Sequence, residues 1–116
     1  VYSQFEVQRG LPITMLVKYF KQNGDKWIID KGLQSNIRFK EFNLLHDMTP
    51  LGTFDIVMCR NVLIYFDQPT KSKILAGIAK RLAPDGVLFL GGAETVLGLS
   101  KDFKPVPSLR GVYQLA

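Results

Sequence analysis

The stretch Thr53-Phe-Asp-Ile-Val-Met-Cys59 constrains the fold more than any other part of the chain. It is mostly apolar and lacks regular polar alternation, the composition of a strand covered on both faces. Downstream, Ile74, Leu75, Ile78, Ala79 and Leu82 recur at helical spacing, with Lys71, Lys73, Lys80 and Arg81 mostly on the other side. Asp67 or Gln68 is placed to cap that helix, with Pro69 in its first turn. Pro84-Asp85-Gly86 reads as a tight turn, and Val87-Leu-Phe-Leu-Gly91 as a second covered strand. Strand 53–59, helix 68–83 and strand 87–91 form a βαβ unit, whose crossover is right-handed with parallel strands in nearly all cases. The chain is therefore expected to fold as part of an open α/β sheet. Ligands of such sheets sit beyond the carboxyl ends of the strands. Here those ends are Cys59-Arg60-Asn61 and Gly91-Gly92-Ala93-Glu94, joined by Asn43-Leu44 if segment 37–42 enters the same sheet.

The flanking segments carry weaker signals. Leu11, Met15, Leu16, Tyr19 and Phe20 follow helical spacing after Gly10-Leu-Pro12, and that helix is expected to stop near Asn23-Gly24. Segments 26–30 and 37–42 read as two short strands of a small antiparallel element. Phe103 to Val106 is extended, and Val112-Tyr-Gln-Leu115 closes the chain as a strand.

Composition removes several function classes. With 116 residues there is room for one small domain. Eight Phe, four Tyr and one Trp give a core enough to bury, which argues against disorder. No apolar run approaches the roughly 20 residues that span a bilayer. One cysteine and one histidine exclude an internal disulfide framework and argue against a metal site. The net charge of +5 is spread along the chain, with seven basic and five acidic groups before residue 53 and eight and five after it. No basic stripe with interleaved aromatics marks a nucleic-acid binder. A mild basic excess suits an anionic ligand or a carboxylate substrate, although a plain solvated surface is the simpler reading of the charge alone.

Phe54-Asp-Ile-Val-Met-Cys-Arg-Asn-Val-Leu-Ile-Tyr-Phe66 resembles a signature of the chemotaxis receptor-glutamate methyltransferases. Leu82-Ala-Pro-Asp-Gly-Val-Leu-Phe89 with Gly91-Gly92-Ala-Glu94, Phe42-Asn-Leu-Leu45 and the Tyr113 strand are further matches, so the resemblance runs over nearly the whole chain. It implies the C-terminal part of a Rossmann-like class I sheet that uses S-adenosylmethionine and releases S-adenosylhomocysteine. It also implies a small antiparallel β insertion, with 22–36 as that insertion or its remnant. In some members this insertion docks on a short peptide at the receptor C-terminus. The implied reaction is methyl-ester formation on glutamate side chains of the cytoplasmic domain of methyl-accepting chemoreceptors. The implied setting is cytoplasmic, with no nucleic acid and no membrane insertion. The glycine-rich cofactor loop and the ribose-binding acid of that family have no counterpart in the sequence. Residues 1–116 are thus expected to be a partial methyltransferase domain, inactive alone. Another class I methyltransferase, or an interaction module that lost the cofactor loop, are the alternative readings. A strand 53–59 left without a neighbour is expected to pair two copies, by edge association or by exchange of elements.

The same resemblance nominates site residues. By that resemblance Arg60 and Asn61 belong to the cofactor site; the alternative is a strand-closing salt bridge for Arg60 and a plain turn for Asn61. Arg60 binds the cofactor carboxylate or orients the substrate glutamate through a forked hydrogen bond. Tyr65 hydrogen-bonds the incoming carboxylate or walls the methyl pocket; its alternative is simple packing. Asn43 and Leu44 resemble the adenine-contacting pair, against a plain turn. Glu94 supports the site or caps the segment that follows, the cap being the simpler expectation. Cys59 is expected to be a buried strand residue and His46 a solvated loop residue. No general base is needed, because a glutamate side chain, which ordinarily titrates at about 4.3, is already ionised near neutral pH.

Overall fold

The computed structural model describes all 116 residues, which divide into a unit of Val1–Glu41 and a unit of Phe42–Ala116. In the first, a short strand β1 (Tyr2–Ser3) runs into helix α1 (Gln4–Gln8). Ser3 starts that helix through a capping box: its Oγ accepts from the Glu6 N–H at 3.2 Å, and the Glu6 carboxylate accepts from the Ser3 N–H at 2.6 Å. Helix α2 (Ile13–Tyr19) is followed at once by strand β2 (Phe20–Asn23), strand β3 (Lys26–Ile29) and the single turn α3 (Lys31–Gln34). The sheet order is β1-β3-β2, antiparallel throughout.

Two expectations for this region fail. The helix ends at Tyr19, not near Asn23, because Gly24-Asp25 makes a two-residue hairpin turn that draws residues 20–23 into a strand. Gly24 carries φ +64 at the first central position, which a hairpin of this length favours. Segment 37–42 is not a strand: it alternates in sequence, but no strand pairs with it, and Phe39 is 92% exposed. The antiparallel element is instead β1-β3-β2, with Tyr2 and Phe20 packing edge to face at 5.5 Å and Trp27 Nε1 donating to Gln4 Oε1 at 2.6 Å.

The second unit is built on the βαβ pattern. Strand β4 (Phe54–Cys59) pairs in parallel with strand β5 (Leu82–Leu90). Helix α4 (Gln68–Arg81) makes the crossover, with Asp67 as its cap: Oδ1 accepts from the Thr70 N–H at 2.9 Å. Strand β7 (Val112–Leu115) joins β5 antiparallel, and strand β6 (Phe103–Pro105) joins β7, giving the order β4-β5-β7-β6. The Pro84-Asp85-Gly86 turn is absorbed into β5 as an irregularity, since the register steps from Phe54–Leu82 to Ile56–Val87. Gly86 is required there, because a Cβ would lie 2.9 Å from the Asp55 carbonyl oxygen.

The core lies on one side of this sheet. Ile74, Leu75 and Ile78 of α4 pack with Cys59, Leu88 and Leu90, and with Leu63, Val96, Phe103 and Tyr113. The expectation that β4 is covered on both faces is not met by the chain's own residues. Val57 and Cys59 turn toward the core, while Ile56 is 59% and Met58 68% exposed. Only one helix of the unit, α4, supplies a packing face, so the opposite face stays open. Leu88→Ala is expected to lower the unfolding free energy by about 2–5 kcal/mol, because it empties a fully covered site. Met58→Ala, on the open face, should change it by less than about 0.5 kcal/mol. Urea unfolding of the two variants at low protein concentration checks the pair; equal losses would contradict the one-sided core.

Candidate functional site

The carboxyl ends of β4 and β5 are the place to build from. After Cys59 the chain makes a sharp turn: Asn61 sits in the left-handed region at φ 59, a conformation its short amide side chain tolerates better than most residues. A 3-10 turn over Leu63–Tyr65 follows. With about three residues per turn, one of these side chains faces inward and two face outward. Leu63 is the buried one; Ile64 is exposed and Tyr65 is 79% exposed. Tyr65 is therefore presented to solvent in this chain.

A carboxylate holds the two loops together. Glu94 Oε1 accepts from the N–H of Asn61 at 2.6 Å and from the N–H of Gly91 at 2.8 Å, while Oε2 accepts from the N–H of Ile64 at 3.2 Å. The side chain is 8% exposed. This corrects the capping expectation: Glu94 starts no helix, and it ties the turn after β5 to the turn after β4. Burial pushes its carboxyl up, but the backbone N–H groups of Asn61, Gly91, Ile64 and Leu63 outweigh burial and hold it below its ordinary value of 4.5. Gly91 completes the arrangement. A Cβ there would overlap Asn61 Oδ1 and lie 2.8 Å from Glu94 Oε1, so no other residue fits without opening the clamp. The signal available in the sequence is an acid three residues past a strand-ending glycine; what it bonds is 33 and 30 residues away.

The remaining nominees fall as follows. Arg60 is exposed directly after β4, beside Asn61. Asn43 is exposed, and its Oδ1 accepts from the Leu45 N–H at 2.9 Å, an Asx turn that leaves its amide NH2 as a donor. Leu44 is half-buried against the core cluster. His46 is an exposed loop residue with its ring edge-on to Phe42 at 6.4 Å. Cys59 is buried, and burial followed by the nearby Glu94 carboxylate push its thiol up, so it is a neutral packing group. No group of three or more His, Cys, Asp or Glu side chains is arranged to hold a metal. Arg60, Asn61 and Tyr65 thus project from one braced turn at the sheet's carboxyl edge. The donor set suits an amino-acid carboxylate, which takes a guanidinium and amide donors.

The clamp is testable through stability. Glu94→Gln retains one acceptor but sets an amide NH2 against the Ile64 N–H, and is expected to cost about 2 kcal/mol at neutral pH. Because the folded carboxyl is held below 4.5, its contribution is complete above that value and is lost as pH falls through the folded one. The gap between wild type and Glu94→Gln should therefore narrow toward about pH 3. Urea titrations at both pH values check this; a gap that widens in acid would refute the clamp.

Comparison with known proteins identifies the family. A family model described as "CheR methyltransferase, SAM binding domain" matches residues 1–112. Chemotaxis protein methyltransferase Cher2 of Pseudomonas putida is 40% identical over 112 residues, covering 96% of the chain and 41% of that protein. Chemotaxis protein methyltransferase 1 of Pseudomonas aeruginosa is 38% identical over 112 residues, again 96% and 41%. The chemotaxis protein methyltransferase of Vibrio anguillarum is 36% identical over 113 residues, 97% and 41%. The chain thus spans about 41% of the length of these curated relatives. With the family model covering nearly its full length, the chain belongs to the CheR methyltransferase family, in the part of it described as binding S-adenosylmethionine.

Proposed function

We propose that this domain serves S-adenosylmethionine-dependent methylation of glutamate side chains on the cytoplasmic domain of chemoreceptors. The observation that carries the reading is the braced turn: Arg60, Asn61 and Tyr65 stand exposed at the carboxyl edge of β4, on backbone fixed by Glu94. The names of the relatives, all chemotaxis methyltransferases, support the same reaction class. The cofactor, when bound, supplies a methyl group on a sulfonium, open to in-line displacement. Arg60 holds a carboxylate in this reading, Asn61 donates through its amide, and Asn43 with Leu44 offers a donor and an apolar face to the adenine ring. Tyr65 borders the acceptor. None of these side chains has to move a proton, since the acceptor carboxylate is already ionised. Their work is orientation and exclusion of water. A cytoplasmic setting follows from the receptor domain that is methylated; no helix here is long and apolar enough to cross a membrane.

The antiparallel sheet of the Val1–Glu41 unit fits the β insertion of this family, the sequence segment 22–36 falling within that unit. Strand β4 is the terminal strand of its sheet, with an apolar face beside its open edge. In this reading the 116-residue chain pairs with a second copy along that edge. Light scattering across a concentration series should show association; a clean monomer at high concentration would remove the pairing.

Arg60→Ala is expected to weaken S-adenosylmethionine binding by about tenfold or more, the loss of one charge-assisted contact. Cys59→Ala should leave that affinity unchanged and lower Tm. Titration calorimetry with the two variants separates them. Unchanged affinity when Arg60→Ala is placed in the full-length methyltransferase would take this residue out of the cofactor site, and a full-length wild type that binds no S-adenosylmethionine would sink the methyltransferase reading.

A further inference from the structure

A cavity of about 290 Å3 opens at the same carboxyl edge, between the turn after β5 and the segment that enters β7. Glu94 and Arg110 are the only charged residues lining it. Both Glu94 oxygens accept from backbone N–H donors. Arg110 is exposed, yet its backbone is held by its neighbour. Gly111 has φ +77, and its carbonyl accepts from the Leu90 N–H at 2.9 Å. A Cβ on Gly111 would lie 3.2 Å from the Leu90 carbonyl oxygen, so the residue after Arg110 is fitted against the end of β5.

We propose that Arg110 grips the carboxylate of the substrate glutamate, leaving Arg60 to the carboxylate of the cofactor. This assignment rests on the methyltransferase reading above. The reaction brings two carboxylates to one edge, and the fold offers two cations there, on different loops. In the transfer, one carboxylate oxygen gives a lone pair to the methyl carbon, the carbon–sulfur bond breaks, and its pair stays on sulfur. No proton moves, and an ionised glutamate becomes a neutral ester. A guanidinium that binds the ionised form through forked hydrogen bonds selects glutamate over its amide isostere glutamine. It also loses its hold once the ester has formed, which favours release of product.

The test compares two forms of a soluble chemoreceptor cytoplasmic fragment, with Glu or with Gln at the methylated positions, titrated by NMR or fluorescence anisotropy. Wild type should bind the Glu form at least about tenfold tighter than the Gln form. Arg110→Ala and Arg110→Gln should bring the ratio to about one, and Arg110→Lys should keep part of it. S-adenosylmethionine affinity, read by calorimetry, should be unchanged in all three. A ratio that survives in Arg110→Ala, or that is absent in wild type, overturns the assignment. Such a result with cofactor binding intact fails Arg110 alone, whereas a full-length wild type that binds no S-adenosylmethionine fails the underlying reading.

Discussion

Everything at the site depends on one buried carboxylate. Taking Glu94 out of water is unfavourable, and no cation offsets that penalty. Backbone N–H groups on two loops offset it instead, at 2.6, 2.8 and 3.2 Å. That choice of partner has two consequences. The turns after β4 and β5 become one rigid piece, so Asn61 can stay in the left-handed region and Gly91 can sit where no Cβ fits. It also leaves the guanidinium groups of the edge available.

The sheet is arranged on a different basis. The composition of β4 suits a strand covered twice, and the chain's own residues cover it once. On the covered side, α4 seals Leu88 completely. On the other, Ile56 and Met58 lie open next to an edge that no strand of this chain occupies. An open apolar face beside an open edge is where association with further chain or with another copy stabilises most.

These features explain what is legible in the sequence and what is not. The βαβ unit is legible because its signals are local: a helix cap at Asp67, an apolar stripe on α4, and β-rich runs on either side. The closing strand Val112–Leu115 is legible for the same reason. Residues 20–23 mislead because the helical spacing of Leu16, Tyr19 and Phe20 continues past Tyr19, and the hairpin turn at Gly24 overrides it only once β3 is there to pair. Alternation in 37–42 promises a strand, but alternation states a preference for two environments and not the existence of a partner. Arg60, Asn61 and Tyr65 are nominated by resemblance to a known signature; their exposure and bracing are properties of the folded chain. Glu94 stands out in the sequence, but its task does not, since a carboxylate's bonds to donors 30 or more residues away leave no local trace.

The chemistry asked of the site explains its composition. Enzymes that move protons surround their groups with burial and charge to bring pKa values toward neutrality. Here the site's two displaced groups, Glu94 and Cys59, are both shifted away from neutrality, the acid downward and the thiol upward. Each is thereby kept in its ordinary charge state, one as a fixed acceptor and the other as a packing group. The lone histidine stands exposed in a loop. In the methyl transfer proposed above, the nucleophile arrives already ionised, has no use for a base, and gains from a guanidinium and from a backbone that does not move. The edge as proposed, with Arg60, Asn61 and Tyr65 on the turn that Glu94 braces and Arg110 beside it, would meet that requirement without a triad or a metal.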